Sequence, residues 1–381
     1  MEPLSKSAIQ LLHHRSADNA LRQLSNPRNL IDFSSNDYLG FAKSAELFNA
    51  AHQILIDCNC IANGATGSRL LTGNHALYKE CESVIADFHQ CESALLFNSG
   101  YDANVGFFSS VPQRGDTILY DELCHASIRD GIRLGTAKAY KFAHNDLEAL
   151  EELILRHQSV SDEIYIATES VFSMDGDSPD LTRFVELAEK YNCFTVVDEA
   201  HALGVFGNNG HGMLQQLNIH NRVFARIVTY GKGLGCHGAA ILGSDELRNY
   251  LINFARSFIY STGLPPHSVA TVLAAYKMLG TSARETELLR DNISYFNSEK
   301  TQLGLKPIFV RSKSAIQSAI IPGNDNVKKI ALKCTENGFD IRPILSPTVP
   351  GGQERLRICL HSYNTPDEIR RVLQLLATSF G

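Results

Sequence analysis

The feature that most restricts how this chain can fold is a series of short, continuously apolar runs set between turns and helical patterns. They are ALLF (94–97), DTILYD (116–121), EIYIATES (163–170), CFTVVDEAH (193–201), VFARIVTY (223–230) and GAAIL (238–242). A strand with one wet face alternates apolar and polar residues. A strand apolar throughout needs cover on both faces, which is the signature of a mainly parallel sheet. Helical spacing is read over 44–58, 75–90, 98–111 and 265–279, the last opened by Pro265 and Pro266. Strand and helix alternate, so the expected class is α/β, a mainly parallel sheet with helices on both sides.

The texture changes after residue 264. SAIQSAIIPG (314–323), an amphipathic stretch over 326–337, RLRICL (355–360) and a terminal helix from Pro366 suggest a separate α+β unit. The first residues join it. A helix is read over 4–24 from Ile9, Leu12, Ala20, Leu21 and Leu24, then a polar break at 25–29 and a short strand in IDFSSNDYLGF (31–41). The division expected is a large domain over 40–270 and a smaller one from 1–39 with 271–381. A length of 381 residues fits two units better than one core. GATGSRLLTGN (64–74) reads as a Gly-punctuated loop.

Composition excludes several roles. The net charge of -6 is mild and no long basic run occurs, so neither nucleic acid nor an anionic membrane is an expected partner. No apolar stretch reaches the ~18 to 20 residues that span a bilayer. The N-terminus has no signal-peptide core. Nine scattered Cys without framework spacing suggest reduced thiols and a cytoplasmic location. Cys58, Cys60, His75, Cys81 and His89 have no zinc spacing and are read as non-ligands.

Ligands of open parallel sheets sit at the carboxyl ends of the strands. Lys232 lies beyond one such end, in the Gly-dense turn YGKGLGCHG, with Thr229 three residues before it. It reads either as a solvated turn residue or as a partly desolvated amine suited to a Schiff base. Asp198 and His201, in VVDEAH, also fit the acidic motif of nucleic-acid-dependent ATPases. No P-loop accompanies Lys232, since Gly233 follows it and Arg226 stands five before Gly231. What remains is an ordinary ion pair, or a carboxylate and imidazole that hold the ring nitrogen and phenolic oxygen of a pyridoxal. Asn98-Ser99-Gly100-Tyr101 opens a helix, where N–H groups and the helix dipole favour an anion. His125 reads as structural or as a ring stacked on a planar cofactor. Ser173 reads as a turn hydroxyl or a donor. Arg357 and Arg22 read as surface residues or as carboxylate partners.

The ordered strings NDYLG, GSRLLTGN, FNSGYDAN, LCHAS, FAHND, VFSMDGD, VVDEAH, TYGKGLGCHGAA, IYSTGLPP and PTVPGGQERLR resemble the α-oxoamine synthases, which are pyridoxal-phosphate enzymes of fold type I. The resemblance runs from about residue 18 to 360. It implies a large domain with a mainly parallel seven-stranded sheet, a smaller α+β domain, and pyridoxal 5'-phosphate as cofactor. It implies small-molecule partners, an amino acid and an acyl-thioester, and a homodimer with a shared active site. FAHND, SAIQ and PTVPGG favour the branch that condenses L-alanine with a pimeloyl thioester, on CoA or an acyl carrier protein, in biotin biosynthesis. Siblings use glycine or serine with other acyl-thioesters. By matching motif, Lys232 would carry the cofactor and act as base, Asp198 would pair with the ring nitrogen, His201 would contact the phenolic oxygen, and His125 would stack on the ring. Gly100, Tyr101 and Thr229 would hold the phosphate with Ser173 nearby, and Ser261 and Thr262 would reach the phosphate of the other subunit. Arg357 would bind the amino-acid carboxylate, with Thr348 and Arg22 lining the acyl region. The segment between Arg22 and Asp32 is shorter than the family's, and His237 stands where a small residue is usual.

Overall fold

The computed structural model describes residues 4–22, 24 and 29–380. The chain packs as two units. One comprises 36–173 with 177–289, and the other 1–35, 174–176 and 290–381. These limits differ from the expected 40–270 division at both ends. The helix Pro266–Leu279 packs on Ala45–Asp57 and Ala76–His89 and is buried nearly all round, so it belongs with the large unit.

The large unit is built on one seven-stranded sheet. Its strands are Ser93–Phe97 (β1), Thr117–Asp121 (β2), Lys138–Phe142 (β3), Ile164–Glu169 (β4), Phe194–Asp198 (β5), Ala225–Thr229 (β6) and Ala239–Gly243 (β7). They lie in the order β1-β7-β6-β5-β4-β2-β3, parallel except for β7, which runs against both neighbours. Successive residues feed opposite cores. Ile118, Tyr165 and Ala167 pack with Phe107, Phe108, Val196 and Ile227, while Leu119, Ile164 and Ile166 pack with Leu150, Ile154 and Phe184. Each fully buried side chain of this size contributes about 1.5–3 kcal/mol. This is why the runs are apolar throughout.

Strand β3 has no counterpart in the sequence reading. It is one of the two edges of the sheet, and Lys138, Tyr140 and Lys141 are exposed on it. Charge on an edge strand discourages pairing with another chain and also erases the apolar signature. Beyond β3, His144 bridges two carboxylates. Its Nδ1 lies 2.9 Å from Asp121 and its Nε2 2.8 Å from Asp177.

The smaller unit draws on both ends of the chain. Ile31–Asp32 pairs in parallel with Phe339–Asp340. Arg355–Cys359 is the middle strand of an antiparallel sheet between Arg342–Ile344 and Ile316–Ile320. The helices Asn324–Glu336 and Pro366–Phe380 pack together within this unit. The first helix, Lys6–Ala17, is shorter than expected and buries no residue. The chain leaves it through Asn19 at φ +50°, a left-handed turn, so Ala20 is buried off the helix. The expected break at 25–29 falls largely outside the described residues.

Burial works against charge on His144, but its bonds to Asp121 and Asp177 outweigh burial and raise its pKa to about 10. A pKa raised above the unfolded value of 6.5 gives stabilisation that is complete below that pH and lost as pH rises through about 10. Denaturant unfolding should show wild-type stability falling over that window. His144→Ala should unfold about 3 kcal/mol more easily at neutral pH, with the difference shrinking in alkali.

Candidate active site

The turn that carries Lys232 is closed by its own backbone. Tyr230 N–H donates to Gly238 O at 2.9 Å, Cys236 N–H to Tyr230 O at 2.8 Å, and Gly235 N–H to Lys232 O at 2.8 Å. Glycine is required here by close approach. A Cβ on Gly233 would meet Leu203 O at 2.3 Å, and one on Gly235, at φ +58°, would meet Ala42 N at 2.1 Å. The half-buried Lys232 places Nζ 2.7 Å from His201 Nε2. His201 Nδ1 lies 2.7 Å from the hydroxyl of the fully buried Tyr38. The amine and the imidazole expected at separate strand ends are therefore in direct contact.

Asp198 ends β5 and is 6% exposed. Oδ1 accepts from Ala200 N–H at 2.9 Å, and Oδ2 from Asn104 Nδ2 at 2.8 Å. Each oxygen keeps a further lone pair for a ligand N–H. Asn104 Nδ2 also donates to Ser127 Oγ at 3.0 Å, and Ser127 Oγ lies 2.7 Å from His125 Nδ1. Asp198 and His125 are thus joined through two residues.

Glu169 ends β4 directly opposite Asp198 in register. Its Oε1 accepts from His125 N–H at 2.6 Å. Burial, followed by the nearby charge of Asp198, pushes its pKa up to about 8. The next residue after Asp198, Glu199, is wholly buried. It accepts from Met213 N–H at 2.7 Å, Leu214 N–H at 3.0 Å and Arg226 Nη2 at 2.6 Å, which fixes the loop that follows His201.

The expected anion site lies where β1 meets the helix Gly100–Ser110. Ser99 caps it, its Oγ accepting from Asp102 N–H at 3.0 Å. The first-turn N–H groups of Gly100 and Tyr101 have no intrahelical acceptor. Thr229 Oγ1 lies 2.5 Å from where a Gly100 Cβ would stand, so hydroxyl and helix terminus share one small space. Tyr101 is exposed and its hydroxyl donates to Asp130 at 2.9 Å. Ser173 is half-buried in the loop after β4. Thr262 O accepts from Asn98 Nδ2 at 2.7 Å, beside the helix start, with the half-buried Ser261 preceding it.

Three expected residues belong to the smaller unit. Arg22 Nη2 donates to Thr348 Oγ1 at 3.2 Å. Both line a cavity of about 540 Å³ with Arg15, Leu21, Ile344 and Leu345. Arg357 is half-buried on the middle strand, its Nη1 3.0 Å from Cys359 Sγ. In the nearby loop, Asp175 pairs with Arg355, and Gly176 at φ +73° sits against Ile316 O.

Sequence reasoning missed Tyr38, Asn104, Ser127, Glu169 and Glu199. Asn104 did carry a signal, as a lone amide within the apolar helix 100–110. Glu169 carried another, as a lone acid closing an apolar strand. Among the described residues no group of His, Cys, Asp and Glu has metal-site geometry, and no helix is long and apolar enough to cross a membrane.

Residues 28–376 match the family described as aminotransferase class I and II. A curated relative, the 8-amino-7-oxononanoate synthase of Emericella nidulans, is 41% identical over 92% of this chain and 90% of its own. Serine palmitoyltransferase of Sphingomonas wittichii superposes with a TM-score of 0.90 at 26% identity, covering 99% of this chain and 98% of that one. The 8-amino-7-oxononanoate synthase of Francisella tularensis gives 0.77 at 29% identity, covering 92% and 98%. The chain belongs to the aminotransferase class I and II family of pyridoxal-phosphate enzymes, in its α-oxoamine synthase branch.

The residues present fit that cofactor. An amine touching an imidazole, a buried carboxylate with spare lone pairs, and an open helix terminus under a threonine hydroxyl supply the partners that pyridoxal phosphate needs. Gly100→Ala should drive a methyl group into Thr229 Oγ1. Titration of the cofactor-free protein with pyridoxal phosphate should show affinity reduced by about tenfold or more, the equivalent of losing one charge-assisted hydrogen bond.

Proposed function

We propose that this enzyme condenses L-alanine with a pimeloyl thioester to give 8-amino-7-oxononanoate, a step of biotin biosynthesis. The observation that carries the reading is the 41% identity to a synthase of that name over 92% of the chain. The large unit also holds the lysine, carboxylate and imidazole that the chemistry requires. The reaction forms a carbon–carbon bond between the amino-acid α-carbon and the thioester carbonyl, expels the thiol, and releases the amino-acid carboxylate as carbon dioxide.

Bound pyridoxal phosphate supplies an electron-accepting ring that stabilises negative charge at the substrate α-carbon. The protein provides the rest. Lys232 would anchor the cofactor, and its Nζ would take the substrate α-proton and later return one. His201, 2.7 Å from Nζ, would hold the lysine and donate toward the phenolic oxygen, a reading that this contact supports. Asp198 would face the ring nitrogen and favour its proton, since each carboxylate oxygen keeps a lone pair beyond its bond to Ala200 N–H or Asn104 Nδ2. His125 would cover the ring, and Gly100, Tyr101 and Thr229 would hold the phosphate with Ser173 nearby.

The same reading gives Arg357 the amino-acid carboxylate, and gives Thr348 and Arg22 the acyl substrate. The hydrogen bond between Arg22 and Thr348 and the cavity they line support the last pair. It also includes a homodimer, with Ser261 and Thr262 serving the partner's phosphate site, and a cytoplasmic location. A different amino acid and acyl-thioester is the alternative, favoured by the TM-score of 0.90 to serine palmitoyltransferase.

A thiol-release assay crossing Ala, Gly and Ser with pimeloyl, acetyl and palmitoyl thioesters separates the two. Turnover should be confined to alanine with the pimeloyl thioester, and turnover only with serine or glycine would reject the assignment. Lys232→Ala should lose the visible absorbance of the lysine-bound cofactor and at least about a thousandfold in kcat.

A further inference from the structure

The contacts of His125 specify more than its position. We propose that Asn104 and Ser127 are positioning residues that lock His125 as the neutral imidazole carrying its proton on Nε2, so that the ring offers a donor without a charge. The inference rests on the pyridoxal-phosphate reading of the site but not on the identity of the acyl substrate.

The argument begins at Asp198. An ionised carboxylate only accepts, so the amide face of Asn104 turned to it at 2.8 Å is the NH2 group. The second hydrogen of that nitrogen reaches Ser127 Oγ at 3.0 Å. Turning the NH2 group to both partners leaves Asn104 Oδ1 buried with no hydrogen-bond partner among the described residues, which is the cost of this orientation. Ser127 Oγ, already accepting, directs its own proton to His125 Nδ1 at 2.7 Å. The backbone N–H of Ser127 points at the same Nδ1 from 3.2 Å, and a backbone N–H can only donate. Two donors therefore converge on Nδ1, which must be a lone pair. The proton of the neutral ring is left on Nε2. Glu169 holds the backbone N–H of His125 at 2.6 Å and so fixes the main chain from which the ring extends, while the two Ser127 donors fix the ring itself.

The surroundings keep the ring neutral. Burial is the largest influence and disfavours its charge. Asp198 on β5 favours charge, Lys232 beyond β6 opposes it, and on its own helix Arg129 opposes and Asp130 favours it. Burial pushes the pKa of Glu169 on β4 up to about 8 and holds the Cys124 thiol well above its ordinary range. An imidazolium here would compete with the cofactor nitrogen for Asp198. The Nδ1–H tautomer would aim its donor at Ser127 and leave Nε2 a base. The chain from Asp198 to His125 excludes both.

The test uses holoenzyme labelled with 15N-histidine, recorded without substrates, with the His125 signals assigned by their loss in His125→Gln. The wild type should show a protonated Nε2 and a pyridine-like Nδ1 from about pH 6 to 8, the range in which an ordinary histidine titrates. Ser127→Ala removes a donor that favours the neutral ring, so the His125 pKa should rise by about one unit. The acidic limb of kcat/KM for the amino acid should move with it, so that kcat/KM falls up to about tenfold on that limb and changes little near neutral pH. Asn104→Leu should act in the same direction. A proton on Nδ1 in the wild type would overturn the proposal, and that result needs no variant to fold. So would a Ser127→Ala enzyme with lowered melting temperature but an unmoved titration. Because no substrate is present, failure here leaves the reaction assignment standing, and failure of the crossed thioester assay leaves the tautomer result intact.

Discussion

Two carboxylates at the ends of adjacent parallel strands set the terms for the rest of the site. The β4–β5 register puts Glu169 directly opposite Asp198, both almost without exposure to water. Two buried like charges at this separation cannot both ionise cheaply. The pair resolves by asymmetry. Asp198 receives Ala200 N–H and Asn104 Nδ2, while Glu169 receives only the backbone of His125. Asp198 keeps lone pairs open to a ligand N–H, and Glu169, its pKa raised by burial, clasps the His125 backbone. The same sheet geometry brings Gly100, His125, His201 and Lys232 to the one edge where these carboxylates end.

The support behind that edge is also polar. Arg226 and Glu199 form an ion pair at 2.6 Å with almost no exposed surface, and Glu199 additionally receives two backbone N–H groups. Such a pair is costly to bury and adds little stability beyond what apolar packing would give. Its value here is placement. It ties β6, which leads to Lys232, to the loop that carries His201, so the 2.7 Å contact between those side chains rests on a fixed base.

The legible part of the fold was the part buried on both faces. Leu119 and Ile118 each meet a different core, so every residue of the strand had to be apolar. Strand β3 has one side with no neighbour, and its lysines removed the pattern. At the site, Lys232, Asp198, His201 and Gly100 were legible because chemistry and turn geometry both act within a few residues of a strand end. Asn104, Ser127 and Tyr38 were not. Asn104 meets Asp198 across 94 residues of sequence, and Tyr38 meets His201 across 163. Nothing local obliges those side chains to be polar. The N-terminal helix was read too long because Ala20, Leu21 and Leu24 keep helical spacing, whereas the left-handed Asn19 ends it.

The short excursion at residues 174–176 has a consequence for how the chain is made. Met174 O and Gly176 O accept from Ser318 and from Ser312 and Ser314, and Asp175 pairs with Arg355. The Ser312 bond closes over 136 residues. At about 5–20 residues per second of synthesis, these three residues leave the ribosome roughly ten to thirty seconds before their partners exist. The segment between β4 and the helix Leu181–Lys190 must stay soluble with its acceptors wetted by water for that time. The final strand then completes its seating as well as its own sheet, so a nascent chain arrested before residue 355 would still lack the partner of Asp175.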